Sequence, residues 1–197
     1  MTEANQTSVR IQTLGKLTIN QKVVKQSRPL ELVVFLATCQ GDAARELVEN
    51  ALFGEEASSS AMSNLVQRAR GLGFEIQSIY QRYELRTPVV VDAIELERTL
   101  KAGDLERSVQ LYGGPFFPQS VSPFAEDLRG YFEENLIQLA LNQQDSRLMF
   151  DVMKRVGMDP RLGDAILAST TQNMHSVLCQ APMRGLGWSP RPIKAVS

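Results

Sequence analysis

Between Ser58 and Leu85 the sequence changes period, and that change limits what can surround it. SSSAMSNLVQRARGLG sets Met62, Leu65, Val66 and Ala69 at helical spacing, so one apolar stripe must be buried. Ser60, Asn64 and Gln67 fall on the opposite face, flanked by Ser63 and Arg68, with Arg70 at the border. The leading serines can accept an orphan helix N–H, and Gly71 and Gly73 stop the helix. FEIQSIYQRYEL then turns β-like. Phe74, Ile76, Ile79 and Tyr80 precede a tight break, and Tyr83 and Leu85 follow it, which sets Arg82 at the hairpin tip with Arg86 nearby.

The residues before this stretch supply its packing partners. Val9, Ile11, Leu17, Ile19, Val23 and Val24 suggest two or three short strands, with turns near Gly15 and Asn20-Gln21. Pro29 sits at the first turn of a helix, LELVVFLATCQ, that is apolar nearly all round and must be buried. Gly41 ends it. Asp42 is expected to cap DAARELVENALF, with Leu47, Val48, Ala51 and Leu52 inward and Gly54 as the stop. A small leading sheet, three helices and a hairpin is the order of a winged helix-turn-helix. In that fold the third helix enters the major groove, where Asn, Gln and Arg can pair with base edges. The plainer reading is a half-solvated helix beside a structural hairpin.

Pro88 breaks the chain, and beyond it the pattern is helix after helix. Asp92 and Glu95 are spaced as a capping pair. The long helix around AEDLRGYFEENLIQLALNQ stripes Leu128, Phe132, Leu136 and Leu139, with Glu126, Asp127, Glu133 and Glu134 on its solvated face. Short joints between helices resemble tetratricopeptide architecture, without a strict repeat. The expected fold is therefore an α+β winged helix-turn-helix over residues 9–88, followed by an all-α, tetratricopeptide-like domain over 89–180. Residues 181–197 form a Pro/Gly-rich, flexible tail, and residues 1–8 are expected to fray.

Composition excludes more than it selects. Cys39 and Cys179 lie far apart without a CxxC partner, which argues against a disulfide framework or a zinc site and for a reducing, cytoplasmic location. Cys39 reads as a packed thiol, and His175, the only histidine, as an ordinary imidazole rather than a ligand or catalyst. Phe116 and Phe117 in GGPFFP read as a packed plug between helices. No apolar run is long enough to span a membrane, so no membrane partner is expected. No phosphate loop, nucleophile elbow or zinc-protease motif is present, so neither catalysis nor a cofactor is expected. The net charge is −1 overall, but Ser58 to Arg86 carries Arg68, Arg70, Arg82 and Arg86 against Glu75 and Glu84. That is a mild basic patch on a neutral protein.

Several phrases, in order, carry a family resemblance. VRIQTLGKLTI, SRPLELVVFLA, AMSNLVQRAR and RYEL resemble the OmpR/PhoB-type winged helix. VDAIELERTL, LYGGPFF, FAEDLRGYFEENL and MDPRLGDAILA resemble a short bacterial transcriptional activation domain. Together they span roughly residues 9–170 and are similar to bacterial activators of the antibiotic-regulatory-protein (SARP) class. The resemblance implies a sequence-specific regulator of transcription, an activator, binding double-stranded DNA side by side on direct repeats as a homodimer. It also implies contact with RNA polymerase, through the loop Gly54 to Ala57. By residue type and phase, Asn64 and Gln67 would read bases, and Arg68 would read guanine or hold phosphate. Ser60, Ser63 and Arg70 would touch phosphate, and Arg82 would reach the backbone or minor groove. The rival expectation is a protein-interaction module that keeps the winged-helix fold with weak or no DNA binding.

Overall fold

The structure is a computed structural model that describes residues 8–54 and 59–172. The expectations for the frayed start, for Ala57 and Ser58, and for His175, Cys179 and the 181–197 tail lie outside these residues. The chain divides into two compact units, residues 1–98 with 111–132, and residues 99–110 with 133–197. Among the described residues, no helix is long and apolar enough to cross a membrane.

Unit 1 is α+β. It opens with β1 (Val9–Gln12), β2 (Thr18–Ile19) and β3 (Lys22–Val23), and helix α1 follows (Ser27–Thr38). Leu30, Leu32, Val33, Val34 and Leu36 of α1 are all fully buried. Each contributes about 1.5–3 kcal/mol of transfer free energy, set against the entropy of ordering the chain. Glu31 is buried with them: Arg28 reaches its Oε2 at 3.1 Å, while Oε1 has no hydrogen-bond partner among the described residues. The same guanidinium donates to the Leu52 carbonyl at 2.7 Å and lies 4.9 Å from the Phe53 ring centre.

After α1 the structure departs from the sequence reading. Asp42 does not cap a helix. Asp42–Ala44 is a strand, β4, and α2 begins only at Arg45 (Arg45–Phe53). Ala43 pairs across to Tyr83, and this long-range pairing holds the three residues extended. The shorter helix turns Val48 and Leu52 inward, whereas Leu47 is 53% exposed, contrary to the expected apolar face. Helix α3 (Ser59–Gly71), β5 (Ile76–Ile79) and β6 (Arg82–Leu85) then follow. The second sheet runs β4-β6-β5.

The strand after Pro88 belongs to the first sheet. β7 (Val89–Val91) lies parallel to β1, with Ile11 opposite Val91, and the sheet order is β3-β2-β1-β7. The next residue, Asp92, starts α4 (Asp92–Lys101) and carries the unit's main polar tie. Its carboxylate accepts from the Thr13 amide at 2.8 Å, the Thr13 hydroxyl at 2.7 Å, the Leu14 amide at 3.1 Å and the Ala93 amide at 2.8 Å. Burial pushes this carboxyl above its usual range, and the donors pull it back.

Residues 111–132 complete unit 1 by close approach of backbone. Gly15 has φ 81° and packs so tightly that a Cβ there would lie 2.8 Å from the Gly113 carbonyl oxygen. Gly15 donates to the Pro115 carbonyl, and Leu14 bridges to Phe116. Phe116 and Phe117 are fully buried, as expected of a plug. The Phe116 ring meets Phe117, Phe124 and Phe132 edge to face, with centres 4.8, 5.5 and 5.8 Å apart. Arg129 fastens the loop by donating to the Phe117 and Ser120 carbonyls at 2.8 Å each.

Unit 2 is helical. It contains nearly all of α5 (Leu105–Leu111), the latter part of α6 (Pro123–Gln143), α7 (Ser146–Val156) and α8 (Pro160–Gln172). Asp145 caps α7 by accepting from the Arg147 and Leu148 amides. Met149, Val152 and Met153 of α7 are buried, as are Leu162 and Ile166 of α8. On the surface, Arg161 grips Glu134 with two bonds of 2.8 Å and also bonds Asp159 at 2.9 Å.

Candidate nucleic-acid interface

Helix α3 has one greasy and one polar side because its sequence allows no other phase. Met62 and Ala69 are fully buried and Leu65 and Val66 nearly so. At 3.6 residues per turn, Asn64 and Gln67 stand almost opposite Met62 and Ala69. Ser60, Ser63, Asn64, Gln67, Arg68 and Arg70 are all exposed. The side chains of Asn64 and Gln67 make no hydrogen bond within the described residues, so each presents an amide with one acceptor and two donors to solvent.

The arginines differ from one another. Arg68 keeps a loose tie, 3.3 Å, to the side-chain oxygen of Gln26. Arg70 directs two nitrogens at the Ile76 carbonyl, at 3.0 and 2.7 Å, and so fixes the end of α3 to the first residue of β5. Arg82 is not at the hairpin tip. It is the first residue of β6, and its guanidinium holds Asp42 of β4 at 2.6 Å with two further contacts of 3.0 Å. Arg82 accordingly keeps the Asp42 carboxyl below its usual range. Sequence counting treats these charges as available, because the partners are distant in the chain.

The tip itself is Tyr80-Gln81, with φ 46° and 61°. A two-residue hairpin turn with both φ values positive is ordinarily built from Asn-Gly or Asp-Gly. Here a tyrosine takes the first place and is 96% exposed. Such backbone costs on the order of 1–2 kcal/mol per non-glycine residue. The turn is held from behind, because the Arg45 amide donates to the Gln81 carbonyl at 2.8 Å. The sequence shows the break after Tyr80 but carries no local signal that the tyrosine stands exposed at its apex.

Other chemistry is sparse. Among the described residues no cluster of His, Cys, Asp and Glu could hold a metal ion. Cys39 is half-buried, and burial pushes its thiol up, as befits a packed group. In unit 2 an open depression of about 680 Å³ lines Glu106, Asp145 and Asp151 against Arg147, Lys154 and Arg155, a balanced set of charges. Asp145 is engaged in capping and Asp151 in pairing with Lys154. Compared with protein-family models and with curated proteins, the sequence gives no match to either.

Proposed function

We propose that this protein is a DNA-binding regulator of transcription, an activator, whose unit 1 works as a winged helix-turn-helix. In this reading α3 is the recognition helix and β5–β6 the wing. Asn64 and Gln67 read base edges, and Arg68 reads guanine or holds phosphate. Ser60 and Ser63 meet the backbone. Arg70 and Arg82 position the hairpin through Ile76 and Asp42, and the apex residues Tyr80 and Gln81 are what the wing offers to the duplex. The helices of unit 2 are a tetratricopeptide-like activation domain that meets RNA polymerase together with the Gly54–Ala57 loop. Direct-repeat sites would seat two copies side by side.

One observation carries this reading: two exposed amides one helical turn apart, opposite a fully buried stripe, with no partner in the described protein. The test is duplex selection followed by titration of single variants. Asn64→Ala or Gln67→Ala should lose about 1–3 kcal/mol on the selected site and relax base preference at one position, with little change on random DNA. Unchanged binding by both variants would remove α3 from the groove.

A second reading has its own support. Arg82 is paired with Asp42, and the Arg70 guanidinium is turned to the Ile76 carbonyl, so fewer arginines near α3 are free to reach a phosphate than the sequence suggests. That favours a protein-interaction module with weak DNA affinity. Absence of binding to any duplex at low salt would select it.

A further inference from the structure

The positive charge that a DNA-binding unit needs lies elsewhere than the hairpin. Arg70 serves the Ile76 carbonyl, Arg82 pairs with Asp42, and Arg86 pairs with Glu84. The stretch from Ser8 to Leu30, by contrast, holds Arg10, Lys16, Lys22, Lys25 and Arg28 and no Asp or Glu. Arg28 is spent on Glu31. Arg10, Lys16, Lys22 and Lys25 are exposed and form no ion pair within the described residues.

Register shows where two of these cations stand. Val91, Ile11, Ile19 and Lys22 are opposite one another across β7, β1, β2 and β3, so they share one face of the sheet. Along that row Val91 and Ile11 are buried, Ile19 is half-buried and Lys22 is exposed. Lys22 thus stands at the rim of the face that covers the core. Lys25 follows within three residues. Its neighbour Gln26 is the residue whose side chain meets Arg68 of α3. Helix α1 starts at the same point, with no side-chain cap and no acidic residue in its first turn. Its unsatisfied N–H groups therefore add partial positive charge.

We propose that Lys22, Lys25 and Arg68 form a rim that holds the phosphate backbone of a duplex lying against α3. This rests on the DNA-binding reading above and extends the contact surface from the helix to the first sheet. The rim supplies affinity without sequence information, because phosphates are the same in every duplex. It also explains how a neutral protein with a tied-up wing could still bind a polyanion.

The experiment compares the full chain with the double variant Lys22→Gln/Lys25→Gln, on a selected duplex and on a random one, from low to high salt. A second double variant, Arg98→Gln/Arg147→Gln, removes the same charge at two other exposed positions. Circular dichroism checks that each is folded. The rim variant should bind both duplexes roughly ten- to a hundredfold more weakly at about 0.1 M salt, with the log–log salt slope shallower by about 1.8. Its base preference should stay that of the parent, unlike that of Asn64→Ala. If the parent binds and the rim variant matches it in affinity and slope, the rim is wrong while the α3 reading stands. Equal losses in the Arg98→Gln/Arg147→Gln variant would also overturn the rim, because overall charge would then explain the effect. If the parent binds no duplex at low salt, the rim and the α3 reading fall together.

Discussion

The two units are held by different kinds of bond. Unit 1 is closed by buried, long-range ties: Asp92 to Thr13 and Leu14, the backbone crossing at Gly15, and the rings around Phe116. Unit 2 has half-buried hydroxyl pairs at Ser108–Thr99 and Ser146–Ser169, but its charged ties lie at the surface: the Asp145 cap and the Arg161 pairs with Glu134 and Asp159. Buried ties lose much when one partner goes, since the other is left dry and unpaired. Exposed ones lose little, since water replaces them. Unit 1 should therefore fail at single residues, and unit 2 should soften.

Phe116→Ala is the strongest test of that contrast. It empties a fully buried site flanked by three rings and should cost about 3–5 kcal/mol, read as a shift in the urea midpoint. A cost below about 1 kcal/mol would mean that the ring cluster does not close unit 1. Asp92→Ala comes next. It strands the Thr13, Leu14 and Ala93 amides and should cost roughly 2–3 kcal/mol. Asp92→Asn should lie between it and the parent, because an amide keeps one acceptor.

Acid should give the smallest effect and the most selective one. Arg161 lowers Glu134 to about 2 and also lowers Asp159. Carboxyls lowered on folding stabilise fully above their unfolded values and lose that contribution as the pH falls through their folded values. The Asp92 carboxyl is raised by burial, so its contribution changes with the opposite sign and is lost as the pH rises. Acidification from about pH 5 toward about pH 2 should therefore broaden amide signals of α7 and α8 before those of β1 and β2. Arg161→Ala should abolish the difference in order. Loss of β1 and β2 first would reverse the assignment of strong and weak ties.

Much of unit 1 was legible because its signals are periodic. The all-apolar α1 had to be buried, and the 3.6-residue phase of α3 fixed which amides face out. The turn at Asn20-Gln21 was legible too, since Asn tolerates positive φ, and here its side chain also accepts from the Arg10 amide at 2.9 Å. What failed to show was non-local. Asp42-Ala43-Ala44 has no strand propensity and becomes β4 only because β6 pairs with it. Asp92 announced a helix start, but its acceptance from Thr13, 79 residues earlier, has no local signature. The same blindness made Arg82 a free cation at a tip when it is an ion pair one residue past it.

The discontinuity of unit 1 also bears on how the protein is made. Its second stretch, residues 111–132, leaves the ribosome after residues 1–98. At about 5–20 residues per second, the interval from Arg98 to Phe132 lasts roughly 2–7 s. Through that interval Phe35 and Leu14 await Phe124 and the Phe116 strand segment, respectively. The nascent chain thus carries an open apolar seam that only its own later residues can cover. Any pause in translation there prolongs the time in which that seam can meet another chain.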